Sequence, residues 1–149
     1  MSKNYAIKRL FVTAMSQDNN HLFPFIITLD CAFAEFWRYN LIVHGEVLAS
    51  AKRCNIVKHV DEVAAVGSNI CEVPSTYQRA GHLVINAGEG DSLRLYIYIL
   101  PHTLPFTDSI GEAKPFELCV SISHGANVVY KHRYEINQWS GDNIEIVLQ

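Results

Sequence analysis

No apolar run in this chain approaches the roughly 20 residues that a membrane-crossing helix requires. Basic blocks are also missing. With 12 Lys and Arg against 15 Asp and Glu, the formal net charge is −3. Proteins that hold nucleic acid by its phosphates need a clear basic excess, so general DNA or RNA binding is not expected. Anionic membrane surfaces are disfavoured for the same reason. The first residues, Met1 to Arg9, carry Lys3, Lys8 and Arg9 where a secretory signal has its apolar stretch. A cytoplasmic location is the default expectation.

Cysteine is sparse and unpatterned. Cys31, Cys54, Cys71 and Cys119 form no C-x-x-C and no Cys/His pair at zinc spacing, so no structural zinc is expected. Four cysteines permit two disulfides in three pairings, but without a secretion signal free, buried thiols are the expectation. No G-x-S-x-G elbow is present. Gly88-Glu89-Gly90 lacks the third glycine, the lysine and the helix start of a phosphate cradle. Asp30, Glu35, Asp61, Glu62 and Asp108 are too dispersed for a calcium loop, and Glu89, Asp91 and Asp108 give only a hint of one. No metal and no cofactor is expected.

What the chain does have is alternation. Phe116, Leu118, Val120 and Ile122 alternate with Glu117, Cys119, Ser121 and Ser123. Tyr130, His132, Tyr134 and Ile136 alternate with Lys131, Arg133 and Glu135. Ile144, Ile146 and Leu148 alternate with Asn143, Glu145 and Val147. Successive side chains on a strand point to opposite faces, so these are strands with one face in a core. Earlier strands are expected at Tyr5 to Met15, at Leu22 to Leu29 with Pro24 at an edge or just before the ladder, and from Trp37 to Val43. Trp37, Tyr39, Leu41 and Val43 alternate there with Arg38, Asn40 and Ile42. The cluster Ser16 to Asn20 reads as a turn. His44-Gly45 offers a turn into Val47 to Ala49, and Gly88 to Asp91 a tighter one within a hairpin from Leu83 to Leu100.

One region resists the pattern. Val47, Ala51, Cys54, Val57, Val60 and Ala64 recur at steps of three and four, which predicts one helix within 46–66. The competing assignment is two short strands with a turn near Lys52 to Asn55. Ser68 to Gly81 and the proline-bearing stretch Leu100 to Pro115 read as connections. Length suits one domain over 1–149. The expected fold is mainly β: a single-domain antiparallel β-sandwich of jelly-roll, immunoglobulin-like or C2-like topology.

Chemistry is harder to place. Cys31, Cys54 and Cys119 with seven histidines are scattered, so a Cys/His hydrolase is the least favoured reading. His124 and His132 share one hairpin and His82 and His102 flank another segment, yet nothing makes them converge on a metal. The tyrosines are more pointed. Arg94, Tyr96 and Tyr98 share one strand face, and Tyr130, His132 and Tyr134 share another. Aromatic rings on an open sheet face anchor protein partners or stack on sugars; turned inward, they only complete a core. The expectation is a non-enzymatic interaction or assembly module, binding a protein partner or itself as a homo-oligomer. Small-ligand or carbohydrate binding through exposed tyrosines, with Trp139 as a further candidate, is the alternative.

Overall fold

Alternation in sequence becomes two faces in space. In Ser92–Pro101, Leu93, Leu95, Ile97 and Ile99 are fully buried, while Arg94, Tyr96 and Tyr98 point the other way. The same rule builds every long strand of the computed structural model, which describes residues 5–8, 22–77, 81–107 and 110–149. Most of the expected first strand, the turn cluster Ser16 to Asn20, Asp108 and Ser109 lie outside the described residues.

Nine strands are described: β1 (Tyr5–Lys8), β2 (Phe23–Asp30), β3 (Tyr39–Ala49), β4 (Lys52–Asp61), β5 (His82–Gly90), β6 (Ser92–Pro101), β7 (Phe116–His124), β8 (Asn127–Ile136) and β9 (Asp142–Leu148). They form two sheets, ordered β1-β9-β6-β3-β4 and β5-β2-β7-β8. All neighbours run antiparallel except β1, which lies parallel to β9. The sheets pack face to face as a β-sandwich. The core is drawn from both inner faces: Leu41, Val43, Leu95, Ile97 and Ile146 from one, Phe25, Ile27, Leu118, Val120 and Ile122 from the other. Each fully buried aliphatic side chain of this kind stabilises by about 1.5–3 kcal/mol relative to exposure.

The helix expected within 46–66 does not form. Glu46 to Ala49 finish β3 and Lys52–Asp61 is β4. Steps of three and four mimic a helical stripe, but the segment obeys period two: Val57 is buried while Ile56 and Val60 are exposed. The two-strand alternative holds, with its turn earlier than expected, at Ser50-Ala51. Both residues take positive φ, 51° and 65°, as a two-residue hairpin turn demands. No glycine or asparagine marks that turn. Its holding contact is remote instead, the Ser50 N–H donating to Asp91 Oδ2 at 2.8 Å.

Two glycine turns are also corrected. His44-Gly45 lies in the middle of β3, not in a turn. Leu83 to Leu100 is not a hairpin, because β5 and β6 belong to different sheets. Gly90 sits where the chain crosses between them; a Cβ there would stand 2.6 Å from Leu48 O and 2.3 Å from Val47 Cγ1. Glycine is required by close approach rather than by a tight turn. Pro24 fits its expectation in part. β2 is an interior strand, but its ladder with β7 begins only at Phe25, so the missing proline donor costs that ladder nothing.

Tyr39, Tyr130 and Tyr134 close the core. Burial pushes the Tyr39 hydroxyl from 10.0 up to about 12, and it raises Tyr130 and Tyr134 as well. A group whose folded pKa exceeds its unfolded value stabilises fully below the unfolded pKa and loses that contribution as pH rises through the folded one. Stability is therefore expected to hold up to pH 10 and to fall steadily from pH 10 to 12. Urea unfolding midpoints across that window check it. A flat profile, with all tyrosines ionising together, would contradict the burial.

Candidate functional site

The outer face of the five-stranded sheet carries the side chains that the core does not explain. Register sets three rows across it. Tyr98 of β6 stands opposite Ile42 of β3, which stands opposite Val60 of β4. Next come Tyr96, His44 and Lys58, then Arg94, Glu46 and Ile56. Side chains in such rows are neighbours, so the face is a built surface and not a scatter of exposed groups.

Aromatic rings form its spine. The His44 ring stacks beside Tyr96 at 5.1 Å between centroids and beside Tyr98 at 5.8 Å, both nearly parallel. The Tyr96 hydroxyl hydrogen-bonds the Glu145 carboxylate on β9, and that bond to an anion raises its pKa. An apolar flank adjoins the spine, with Ile56 61% and Val60 53% exposed. Between spine and flank runs an open groove of about 240 Å³ lined by His44, Glu46, Arg53, Ile56, Arg94 and Tyr96.

The expected site residues divide. Arg94, Tyr96 and Tyr98 lie together on this outer face. Tyr130 and Tyr134 turn inward, only 5% and 2% exposed, and their hydroxyls hydrogen-bond each other within the core. They are core residues and present no surface to a ligand. His132 sits between them, packed edge-on against Tyr134 at 4.4 Å. It is exposed because β8 is the last strand of its sheet. Trp139 is only half-buried, in the turn before β9. His44, Arg53, Ile56 and Val60 were missed as site residues. Their signal was the alternation Ile56, Lys58, Val60 against Val57, His59, Asp61, hidden by the helical spacing.

None of the four cysteines is in a disulfide; Cys31 is buried, Cys119 half-buried, and Cys54 and Cys71 exposed. Cys119 lies in a row across the outer face of the second sheet: His82, Asp30, Cys119, Arg133. His82 and Asp30 are bonded. The carboxylate therefore stands between thiol and imidazole, the reverse of the order in which a base takes a proton from a nucleophile. The Cys54 thiol donates to Val47 O and Glu89 O. Among the described residues no three His, Cys, Asp or Glu side chains gather as a metal site.

A second groove, of about 400 Å³, lies between residues 66–69 and 101–106, with Val66, Leu104 and Phe106 exposed along it. This is the proline-bearing connection marked in the sequence. His102 forms its floor, donating from Nε2 to Trp37 O at 2.7 Å and accepting at Nδ1 from the Thr103 hydroxyl at 2.8 Å. No described helix is long and apolar enough to cross a membrane. Comparison with protein families, with curated proteins and with solved structures finds no match for this chain.

Proposed function

We propose that this chain is a non-enzymatic interaction module that associates with a second copy of itself through the outer face of β3, β4 and β6. One observation carries the reading: the stacked rings of His44, Tyr96 and Tyr98 lie beside the exposed side chains of Ile56 and Val60. Tyrosine and arginine dominate the centres of protein interfaces, because they give large rigid contact area with few torsions to freeze. Exposed aliphatic side chains on an edge strand add apolar area that water leaves on association.

Light scattering over a dilution series tests this. A dimer of the 16.8 kDa chain is the expected species. Tyr96→Ala and Ile56→Asp should each weaken it by about thirtyfold or more, the effect of losing about 2 kcal/mol at an interface centre. A wild-type chain that stays monomeric at every concentration sinks the reading.

The second reading, a carbohydrate or small-ligand binder, is favoured by Arg53, Arg94 and Glu46 around the Tyr96 ring. Its groove of about 240 Å³ falls below the roughly 300–1,000 Å³ of small-molecule sites and is open along one side, so protein contact ranks first. Saturable binding of an oligosaccharide on a glycan array, abolished by Arg94→Ala, would reverse that order.

A further inference from the structure

The rows of the outer face continue onto β9. There Glu145 stands beside Tyr96, and Val147 beside Arg94. The middle row therefore runs Glu145, Tyr96, His44, Lys58, acidic at one end and basic at the other. The next runs Val147, Arg94, Glu46, Ile56, apolar at both ends with opposite charges inside. Turned end for end, each row complements itself. Among the described residues Arg94, Glu46 and Lys58 form no ion pair within the chain. We infer that two copies of this chain stack these faces about a two-fold axis along the strands, midway between β3 and β6, a geometry that rests on the self-association proposed above.

Such an axis keeps every row in place and reverses its order. β6 then lies over the partner's β3, and β9 over the partner's β4. Arg94 meets the partner's Glu46, and Glu46 the partner's Arg94, so opposite charges alternate around the axis. Tyr96 covers the partner's His44, and Tyr98 the partner's Ile42. At the rim Glu145 meets the partner's Lys58, and Val147 the partner's Ile56. Glu145 already accepts the Tyr96 hydroxyl, but a carboxylate has lone pairs for both donors. The open groove beside Glu46 and Ile56 receives the partner's Arg94.

Sheet geometry permits these contacts. Neighbouring strands lie about 4.8 Å apart, so Lys58 and Glu145 stand about 7 Å to either side of the axis. Facing sheets cross at about 30°, which displaces groups at that radius by about 4 Å. Lysine and glutamate side chains span such an offset, and groups nearer the axis move less. An axis across the strands fails instead. It lays each strand on its own copy, setting Lys58 against the partner's Lys58 and Glu145 against the partner's Glu145. It also buries Glu46 against the partner's Ile42. Exposed ion pairs add little affinity each; they select the orientation, while the rings and aliphatic side chains hold the pair.

Arg94→Glu and Glu46→Arg test the axis. Alone, each sets like charges against each other twice across it and should lose at least about tenfold in self-affinity. Mixed in equal amounts they should form a heterodimer of wild-type affinity, because the acids of one chain then face the arginines of the other. Mixing leaves the like charges within each chain unchanged, so recovery reports the contact between copies. Circular dichroism establishes that both are folded before mixing. Lys58→Ala is read separately, on its own. It should weaken the dimer about fivefold, since the two-fold removes two rim pairs at once; an axis across the strands would make it tighten. Folded variants that dimerise like wild type, a mixture no tighter than its components, or a Lys58→Ala dimer as tight as wild type or tighter overturns this axis and leaves self-association through the outer face standing. A wild-type chain that is monomeric throughout removes both.

Discussion

Arg38→Ala is expected to cost about 3–5 kcal/mol of stability, the range for removing one partner of a buried charged network. Arg38 is fully buried in the short 3-10 turn Phe36–Arg38 that leads into β3. Its Nη1 donates to Thr103 O at 3.2 Å and its Nη2 to Gln138 Oε1 at 2.7 Å. Gln138 donates onward to Lys114 O, and Gln138 O accepts the Tyr39 hydroxyl. One guanidinium therefore ties together the entry to β3, the connection after β6, the approach to β7 and the crossing from β8 to β9. All are sheet-to-sheet connections at one end of the sandwich.

The ion pair is the lesser part of that effect. Glu35 Oε1 lies 3.2 Å from Nη2, but its side chain is 43% exposed, so water already solvates the carboxylate. Glu35→Ala should cost under about 1 kcal/mol. The large term is the orphaning of Thr103 O and of the Gln138 amide oxygen, each about 1–3 kcal/mol when left buried without a donor. Among the described residues Arg38 Nε has no hydrogen-bond partner; instead the guanidinium carbon lies 5.3 Å from the Tyr39 ring centroid and 5.7 Å from that of Phe33. Those ring faces offset part of the desolvation of the cation. Arg38→Lys keeps the charge but loses the fork, so it should recover only part of the loss. Urea unfolding of the three variants decides the order: Arg38→Ala worst, Arg38→Lys intermediate, Glu35→Ala near wild type.

Arg38 also marks a limit of reading strands by alternation. Its parity with Asn40 and Ile42 assigns it to the wet face of its strand, and on parity alone that is right. Yet Arg38 is fully buried and Asn40 only 6% exposed, because connections fold over this end of the sheet. Asn40 Oδ1 accepts the N–H of Val63 and of Ala64, which belong to the segment after β4. Period two reports which side of a sheet a residue occupies; it carries no information about what loop later covers that side. The same gap separates the tyrosines. Tyr96 and Tyr134 look alike in sequence, each alternating with neighbours of opposite polarity. Tyr96 shares its strand with an unbroken aliphatic stripe that claims the core, so its ring faces out. Tyr134 shares its strand with Lys131, Arg133 and Glu135, and there the tyrosines themselves fill the core. Counting the polarity of the opposite stripe separates the two cases. The β-sandwich was legible because it depends on parity alone. The outer-face site was only half legible, because β4 was hidden behind a coincidental helical spacing.

Gly45→Ala is the second large effect, and its sign runs against the usual rule. Glycine inside a strand ordinarily costs about 0.5–1 kcal/mol relative to alanine, so the substitution should stabilise an unremarkable strand. Gly45 is in the middle of β3, paired with Leu95 on one side and Val57 on the other. A Cβ at this position would stand 2.0 Å from Arg94 O and 3.1 Å from Leu95 Cα. The obstruction is backbone of β6, which cannot rotate aside as a side chain can. Relief requires β3 and β6 to separate or slide. That movement would disturb the ladder beneath Tyr96 and Arg94, the residues at the centre of the proposed interface. Overpacking of this kind costs about 1–3 kcal/mol and more where backbone must move, which exceeds the entropy regained from the glycine. Gly45→Ala should therefore lower the unfolding free energy by about 2–4 kcal/mol and weaken self-association as well, since the rings of His44 and Tyr96 flank the displaced segment. Gly67→Ala is the control: Gly67 has a φ of 90° but nothing within 4 Å of an added Cβ. It should show only the left-handed backbone cost of about 1–2 kcal/mol and leave association unchanged. If Gly45→Ala proves as stable as wild type, the close approach of β3 and β6 is wrong, and the site built across those two strands is wrong with it.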